Sequence, residues 1–318
     1  MTDKYGRHFE YLRVSVTDRC NYRCIYCMPE TGIEKLCHSD TLSFEEIEEI
    51  VRQCVSLGVK KVRITGGEPL VRRGIIDLCK TLSSINGLED LTMTTNASLL
   101  APMAKDLKNA GIGRINISLD TLRPERFARL TRNGTLSDVL AGIRAALEAG
   151  MTPIKLNTVL IGGFNDDEIE DLVNLTINYP IHMRFIELMP IGHALAFGKD
   201  AFLPVKTVLE RIPALVSEED TRSSVAKNYS LPGALGKVGL ISPLSCHFCS
   251  QCDRLRLTSD GKIKPCLHSP HEISLRSLHG SELRAALESA LFLKPQHHVE
   301  LSHQNRSQSA RDMNAIGG

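Results

Sequence analysis

Tyr11-Leu-Arg-Val-Ser-Val-Thr-Asp-Arg-Cys20-Asn-Tyr-Arg-Cys24-Ile-Tyr-Cys27 runs a short β-branched segment straight into a loop carrying three cysteines. Working outward, the same unit recurs: apolar or β-branched runs stand at residues 11–16, 59–65, 90–95, 114–119, 154–161 and 182–188, with helical patterns between most of them. The clearest helix opens at Ser43-Phe44-Glu45-Glu46, where Ser43 and Glu46 have capping-box spacing and Ile47, Ile50, Val51, Cys54 and Val55 follow on one face. Six strand–helix units in series predict an α/β chain with a parallel sheet, either doubly wound or curled into an incomplete barrel.

Each predicted strand ends in polar residues. Gly66-Gly67-Glu68-Pro69 follows the second, Thr94-Thr95-Asn96 the third, and Ser118-Leu119-Asp120 the fourth. Lys155 and Asn157 lie within the fifth, and Glu187 and Met189 close the sixth. The carboxyl ends of parallel strands open on one face, so these dispersed residues are expected to line a single pocket. Any one of them is adequately read as an ordinary turn residue; all of them together are not.

After about residue 200 the rhythm stops. Residues 225–231, 237–242, 254–258 and 262–266 read as short strands, with Ser259-Asp260-Gly261 as a hairpin turn between the last two and a helix over 283–293. Residues 294–318, rich in His, Gln, Ser and Asn, have the composition of a frayed tail.

With 318 residues, 42% hydrophobic and 24% charged, the chain has the make-up of an ordinary globular protein with ample core. A formal charge of +1 gives no expectation of wholesale binding to nucleic acid or membrane, so any anion site must be local. The start has no signal-peptide pattern and no apolar run is long enough to span a bilayer, from which a cytoplasmic location is expected. Ten cysteines in a reducing compartment are metal ligands where they cluster and buried small hydrophobes where they do not. Cys54 and Cys79 fall in helical patterns and read as packing residues.

Cys20, Cys24 and Cys27 can grip three corners of an iron–sulfur cube and leave the fourth iron open for an outside chelator. Zinc requires four closed ligands, and no histidine stands close to this loop. The CxxxCxxC loop after the first strand, with a GGEP turn after the second, resembles the radical S-adenosylmethionine (SAM) superfamily. That resemblance implies a [4Fe-4S] cluster on the three cysteines. SAM would chelate its open iron and be cleaved to a 5′-deoxyadenosyl radical, with Gly66, Gly67, Glu68 and Pro69 against the SAM amino group.

A second group, Cys249, Cys252 and Cys266, comes together if the strand folds back at residues 259–261. A zinc site completed by His247 or His268 and a second open cluster both remain available to it. Arg254 and Arg256, two apart on one strand face, form a fork-donor pair suited to phosphate; without the adjacent cysteines they would read as a solvated face. Cys246 extends the run and could supply a fourth ligand, although it reads better as a neighbouring free thiol.

The segments 11–20, 63–69 and 248–256, together with Ile316-Gly317-Gly318, resemble the GTP 3′,8-cyclase family of radical SAM enzymes nearly end to end. The resemblance implies an incomplete (β/α)6 TIM-like barrel over residues 1–222 and a smaller β-rich region over 223–318 carrying a second [4Fe-4S] cluster. It implies GTP contacts at Arg13, Arg63, Thr94, Lys155, Arg254, Leu255 and Arg256, SAM contacts at Tyr26, Gly67, Ser118 and Met189, and a guanine base on the open iron of the second cluster. Arg13, Arg254, Arg256, Gly317 and Gly318 are implied to support the radical step, in which the ribose 3′ hydrogen is removed and C3′ closes onto C8. An external one-electron reductant, a homodimer and handover of product to cyclic pyranopterin monophosphate synthase belong to the same implication. The rival readings are a peptide-modifying radical SAM enzyme with an auxiliary cluster, and a non-enzymatic iron–sulfur or zinc protein.

Overall fold

The computed structural model describes residues 1–34, 36–219, 225–246, 248–302 and 304–317. The six expected strands form within a residue or two of their predicted limits: β1 (Tyr11–Ser15), β2 (Lys61–Thr65), β3 (Asp90–Thr95), β4 (Arg114–Ser118), β5 (Ile154–Leu160) and β6 (Ile181–Glu187). They are followed by β7 (Val216–Ser217), β8 (Lys227–Ser230), β9 (Val238–Ile241), β10 (Arg254–Leu257), β11 (Lys262–Lys264) and β12 (Ile273–Ser274). The helices are α1 (Phe44–Ser56), α2 (Ile75–Ser83), α3 (Ala104–Asn109), α4 (Pro124–Thr131), α5 (Leu136–Glu148), α6 (Ile169–Asn178), α7 (Thr207–Arg211), α8 (Gly280–Phe292) and α9 (Met313–Ile316). No helix among the described residues is long and apolar enough to cross a membrane.

The strands make one sheet in the order β12-β11-β10-β1-β2-β3-β4-β5-β6-β9-β8-β7. β1 to β6 pair in parallel, as the serial strand–helix pattern demands. The later strands do not build a sheet of their own: β10 adds in parallel to β1 and β9 adds in parallel to β6. The incomplete barrel is thus extended at both edges by residues from the β-rich region. The expected hairpin forms, with β10 and β11 antiparallel and Gly261 at φ +82° in the turn. The expected boundary after residue 222 falls outside the described residues.

Local chemistry explains the frame. Ser43 Oγ accepts from the Glu46 N–H (3.1 Å) and Glu46 returns a bond to the Ser43 N–H (2.7 Å), so α1 begins where both orphan donors are satisfied. Ile47, Ile50, Val51 and Cys54 then bury one face. In the strands alternate residues point opposite ways. Leu12, Val14, Val62, Ile64, Met93, Ile115, Ile117, Leu156, Met183, Phe185, Leu255 and Leu257 are fully buried, in one continuous core with Leu78, Leu107, Val139 and Leu172 of the helices. Each such side chain contributes about 1.5–3 kcal/mol. The alternate positions are polar. Arg13 is paired in register with Arg63 on one side and Arg256 on the other; Asn116 with Thr94 and Lys155; and Asn157 with Ser118 and Arg184. Burying the apolar set therefore forces the charged set to the other face.

The end of β2 serves as a platform for the cysteine loop. Gly67 and Glu68 donate their N–H groups to Thr17 O (2.7 Å) and Arg19 O (2.8 Å). A Cβ on Gly67 would lie 2.5 Å from Arg19 O, and one on Gly66 2.7 Å from Thr17 O. Only glycine lets the two backbones lie this close. Gly67→Ala is expected to lower stability by about 1–3 kcal/mol through this overlap, read as a reduced urea midpoint at unchanged slope.

Candidate active site

The cysteine loop is clamped from three sides. Arg23 and Ile25 donate backbone N–H groups to the last carbonyls of α4, Thr131 O (2.9 Å) and Leu130 O (3.0 Å). Arg132 Nη1 donates to Arg23 O (2.8 Å), and Tyr22 packs edge-on against Phe127. Cys20 Sγ accepts from the Tyr22 N–H (3.4 Å) and Asn96 Nδ2 (3.9 Å). Tyr26 OH donates to Asp120 Oδ2 (2.8 Å), whose other oxygen takes the Val159 N–H (2.7 Å). Burial drives the loop thiols upward, Cys20 to about 11 and Cys27 to about 12, and Asp120 to about 6. A group that binds these sulfurs as thiolates must supply the compensating positive charge.

Cys20, Cys24 and Cys27 stand in the wall of a cavity of about 350 Å³, and Cys249, Cys252 and Cys266 stand in the same wall. Arg13, Arg63, Arg184, Arg254 and Arg256 line it too. Burial, then the neighbouring Arg256, Arg63 and Arg254, push the Arg13 guanidinium well below its usual range; burial and Arg254 bring Arg256 to about 10. Lys155 falls to about 7 from burial and from Arg184, Arg114 and Arg63. Like charges so confined favour an anionic ligand. Glu187, a carboxylate in the wall, is already engaged by the N–H groups of Val205, Leu244 and Ser245.

The chain beyond α8 closes the chamber instead of fraying. Asn314 is buried in its wall, and its backbone N–H is directed at Cys27. Gly317 adopts φ +76°, its carbonyl accepts from Arg256 Nη1 (2.9 Å), and a Cβ there would overlap Thr65 Oγ1. At Cys252, burial raises the thiol but the Lys294 ammonium and Arg254 outweigh it, and the net shift is downward.

Of the expected site residues, Arg13, Tyr26, Arg63, Gly66, Gly67, Thr94, Ser118, Met189, Arg254, Arg256 and all six clustered cysteines line this cavity. The Glu68 side chain does not: it is buried between Thr95 Oγ1 (2.7 Å), the Asn96 N–H (2.7 Å) and the Leu70 N–H (3.0 Å), bracing β2 to β3. Leu255 is fully buried in the helix-side core, leaving only its backbone for a ligand. Lys155 is two residues before Asn157 on the same strand face, and Gly317 touches the site through Arg256. Cys246 is exposed and outside the wall; Gly318 and His247 lie outside the described residues.

The donor set suits iron–sulfur clusters and a polar anion. Two triplets of soft thiols face one chamber, and Thr94 Oγ1, Asn116 Nδ2, Asn157 Oδ1 and Arg254 Nε are buried there with no hydrogen-bond partner among the described residues. Zinc would need ligands gathered about one point, which no three described His, Cys, Asp or Glu residues achieve, and His268 is turned to Ser307 (3.2 Å).

The profile of the Radical SAM superfamily matches residues 14–176, and that of Molybdenum Cofactor Synthesis C matches 181–300. GTP 3′,8-cyclases of Alkaliphilus oremlandii and Alkaliphilus metalliredigens are 51% and 52% identical to it, each over the whole of both chains. The chain belongs to the GTP 3′,8-cyclase family of radical SAM enzymes. Its cofactors are SAM and [4Fe-4S] clusters. Streptococcus suis SuiB bound to SAM shares the fold at 16% identity, with a TM-score of 0.63 over 98% of this chain and 78% of that one.

In this cyclase-family chain, sequence reasoning placed Asp120 in the wall but passed over Asn116, Arg184, Lys294 and Asn314. Arg184 and Asn116 carried a signal, since both sit at the inward phase of strands whose other phase is apolar. Lys294 and Asn314 carried none, because only the fold returns the tail to the chamber. Replacing Arg254 and Arg256 together by alanine is expected to weaken GTP binding at least tenfold while SAM binding persists, measured by anaerobic equilibrium dialysis. Cys246→Ser is expected to keep the iron content of the parent chain on reconstitution, whereas Cys249→Ser loses about four irons.

Proposed function

We propose that this protein converts GTP to (8S)-3′,8-cyclo-7,8-dihydroguanosine 5′-triphosphate, the first step of molybdenum cofactor biosynthesis. One observation carries the reading: a single chamber has two thiol triplets and five guanidiniums in its wall, in a chain about half identical to GTP 3′,8-cyclases end to end. Cys20, Cys24 and Cys27 and, in the second group, Cys249, Cys252 and Cys266 would hold the clusters, which would supply one-electron cleavage of SAM and a Lewis-acid site for the base.

The protein's own residues do the placing. Arg13, Arg63, Arg184, Arg254 and Arg256, with Lys155 behind them, neutralise the triphosphate in a low-dielectric cavity. Thr94, Asn116 and Asn157 offer the partnerless buried atoms that a ribose or a bound water can satisfy. Tyr26, locked by Asp120, and Gly67 and Ser118 shape the SAM side. Asn314 and Gly317 hold the tail across both regions and exclude water and oxygen from the reacting carbon. Residues 1–222 carry the SAM half and most of the nucleotide contacts, and 223–318 the second cluster with the GTP contacts of Arg254, Leu255 and Arg256. An external one-electron reductant, a homodimeric state, a cytoplasmic setting and onward transfer to cyclic pyranopterin monophosphate synthase complete the proposal.

Anaerobic incubation with GTP, SAM and dithionite is expected to yield 5′-deoxyadenosine and a nucleotide of the mass of GTP, still a triphosphate but with a changed absorbance. Release of 5′-deoxyadenosine with unaltered GTP overturns the reading. Lys155 supplies a pH test. With its free-state value near 7 it is largely neutral at pH 8, and a triphosphate draws it back toward the usual lysine range. GTP binding at pH 8 is therefore expected to take up close to one proton, seen by calorimetry in two buffers of different ionisation enthalpy. The uptake vanishes at pH 6, where the lysine is already charged, and in Lys155→Met.

A further inference from the structure

Residues 294–298, which composition assigns to a frayed end, cross the second cysteine group as a strap. Lys294 follows α8 and is 2% exposed. Its ammonium donates to Cys252 Sγ (3.4 Å), Arg254 O (2.9 Å) and Pro265 O (2.6 Å), and lies 5.0 Å from the centre of the Phe9 ring. Those acceptors belong to the two stretches that bear the cysteines: Arg254 stands two residues after Cys252, and Pro265 immediately precedes Cys266. Four residues further on, the backbone N–H of His298 is directed at Cys249. Arg7 fastens the outer side, donating to Cys249 O (2.8 Å), Pro295 O (2.8 Å) and Gln296 O (3.2 Å), with its own Nε on Asp3 Oδ2 (2.7 Å).

An ammonium has three N–H bonds, and here each has an acceptor. The head group is therefore fixed, and its charge is delivered to one sulfur of the triplet. We propose that Lys294 is a positioning residue for the second [4Fe-4S] cluster, which staples the Cys252 and Cys266 stretches in ligating register and raises the cluster's reduction potential through its bond to Cys252 Sγ. The inference rests on the assignment of Cys249, Cys252 and Cys266 as ligands of that cluster. A hydrogen bond and positive charge at a ligand sulfur favour the reduced state, which carries one more negative charge.

The test uses the full chain with Cys20, Cys24 and Cys27 replaced by alanine, so that only the second cluster is present, with Lys294, Lys294→Met or Lys294→Gln. Iron content and an EPR-monitored redox titration are measured without nucleotide. The Lys294 chain is expected to hold about four irons, and absence of iron there sinks the ligand assignment itself, whatever Lys294 does. With iron in that chain, a midpoint more negative in Lys294→Met, or loss of iron from that variant with an unchanged melting profile, supports the role. Full iron and an unmoved midpoint in Lys294→Met overturn it. Should Lys294→Met not fold, Lys294→Gln decides on the same terms: a negative shift supports the role and an unmoved midpoint overturns it.

Discussion

Arg13, Arg63, Arg184, Arg254 and Arg256 share one buried chamber, and mutual repulsion at low dielectric is the constraint to which the surrounding structure answers. They are gathered there by strand geometry. The parallel register sets Arg13 between Arg63 and Arg256, and the two-residue period that buries Leu12, Val14, Leu255 and Leu257 among the helices leaves the guanidiniums no other side to occupy. The stability of the apolar core thus holds an electrostatically unfavourable layer in place. On the proposed function, a triphosphate would convert that layer from a cost into a binding site.

Around this layer the two cysteine groups are held in different ways. The first sits on a rigid support: the Gly66-Gly67 backbone beneath it, the end of α4 beside it, and the Glu68 carboxylate tying β2 to β3 below. The second flanks the two ends of the β10–β11 hairpin and depends on later chain for its rigidity. Arg7, Lys294 and the His298 backbone supply it. The tail then returns to the first group through Asn314 and to the arginine layer through Gly317. One stretch of chain therefore touches both thiol groups and the arginine layer.

The strand–helix series, the capping box at Ser43, the packing roles of Cys54 and Cys79 and the hairpin at residues 259–261 were legible because each rests on contacts close in sequence or on a short hydrophobic period. The cysteine triplets, Arg13, Arg63, Arg254 and Arg256 were legible from spacing and from the resemblance those motifs carry. The bracing role of Glu68 was not, since its partners Thr95 and Asn96 stand at the end of another strand and just beyond it. Nor was the place of Lys294, which reads as one more charge in a polar stretch until Pro265 and Cys252 are set beside it.

By itself the sequence determined the period of the strands and helices, the chemistry of the ligands and the family to which they belong, because those properties reside in residue types and short intervals. Only the tertiary structure decided that β9 and β10 extend the two edges of the same parallel sheet and that residues 294–298 strap the second thiol triplet. These outcomes depend on pairings between residues such as Arg7 and Cys249, or Arg256 and Gly317, whose energies arise from backbone groups that every residue carries and that no side-chain pattern announces.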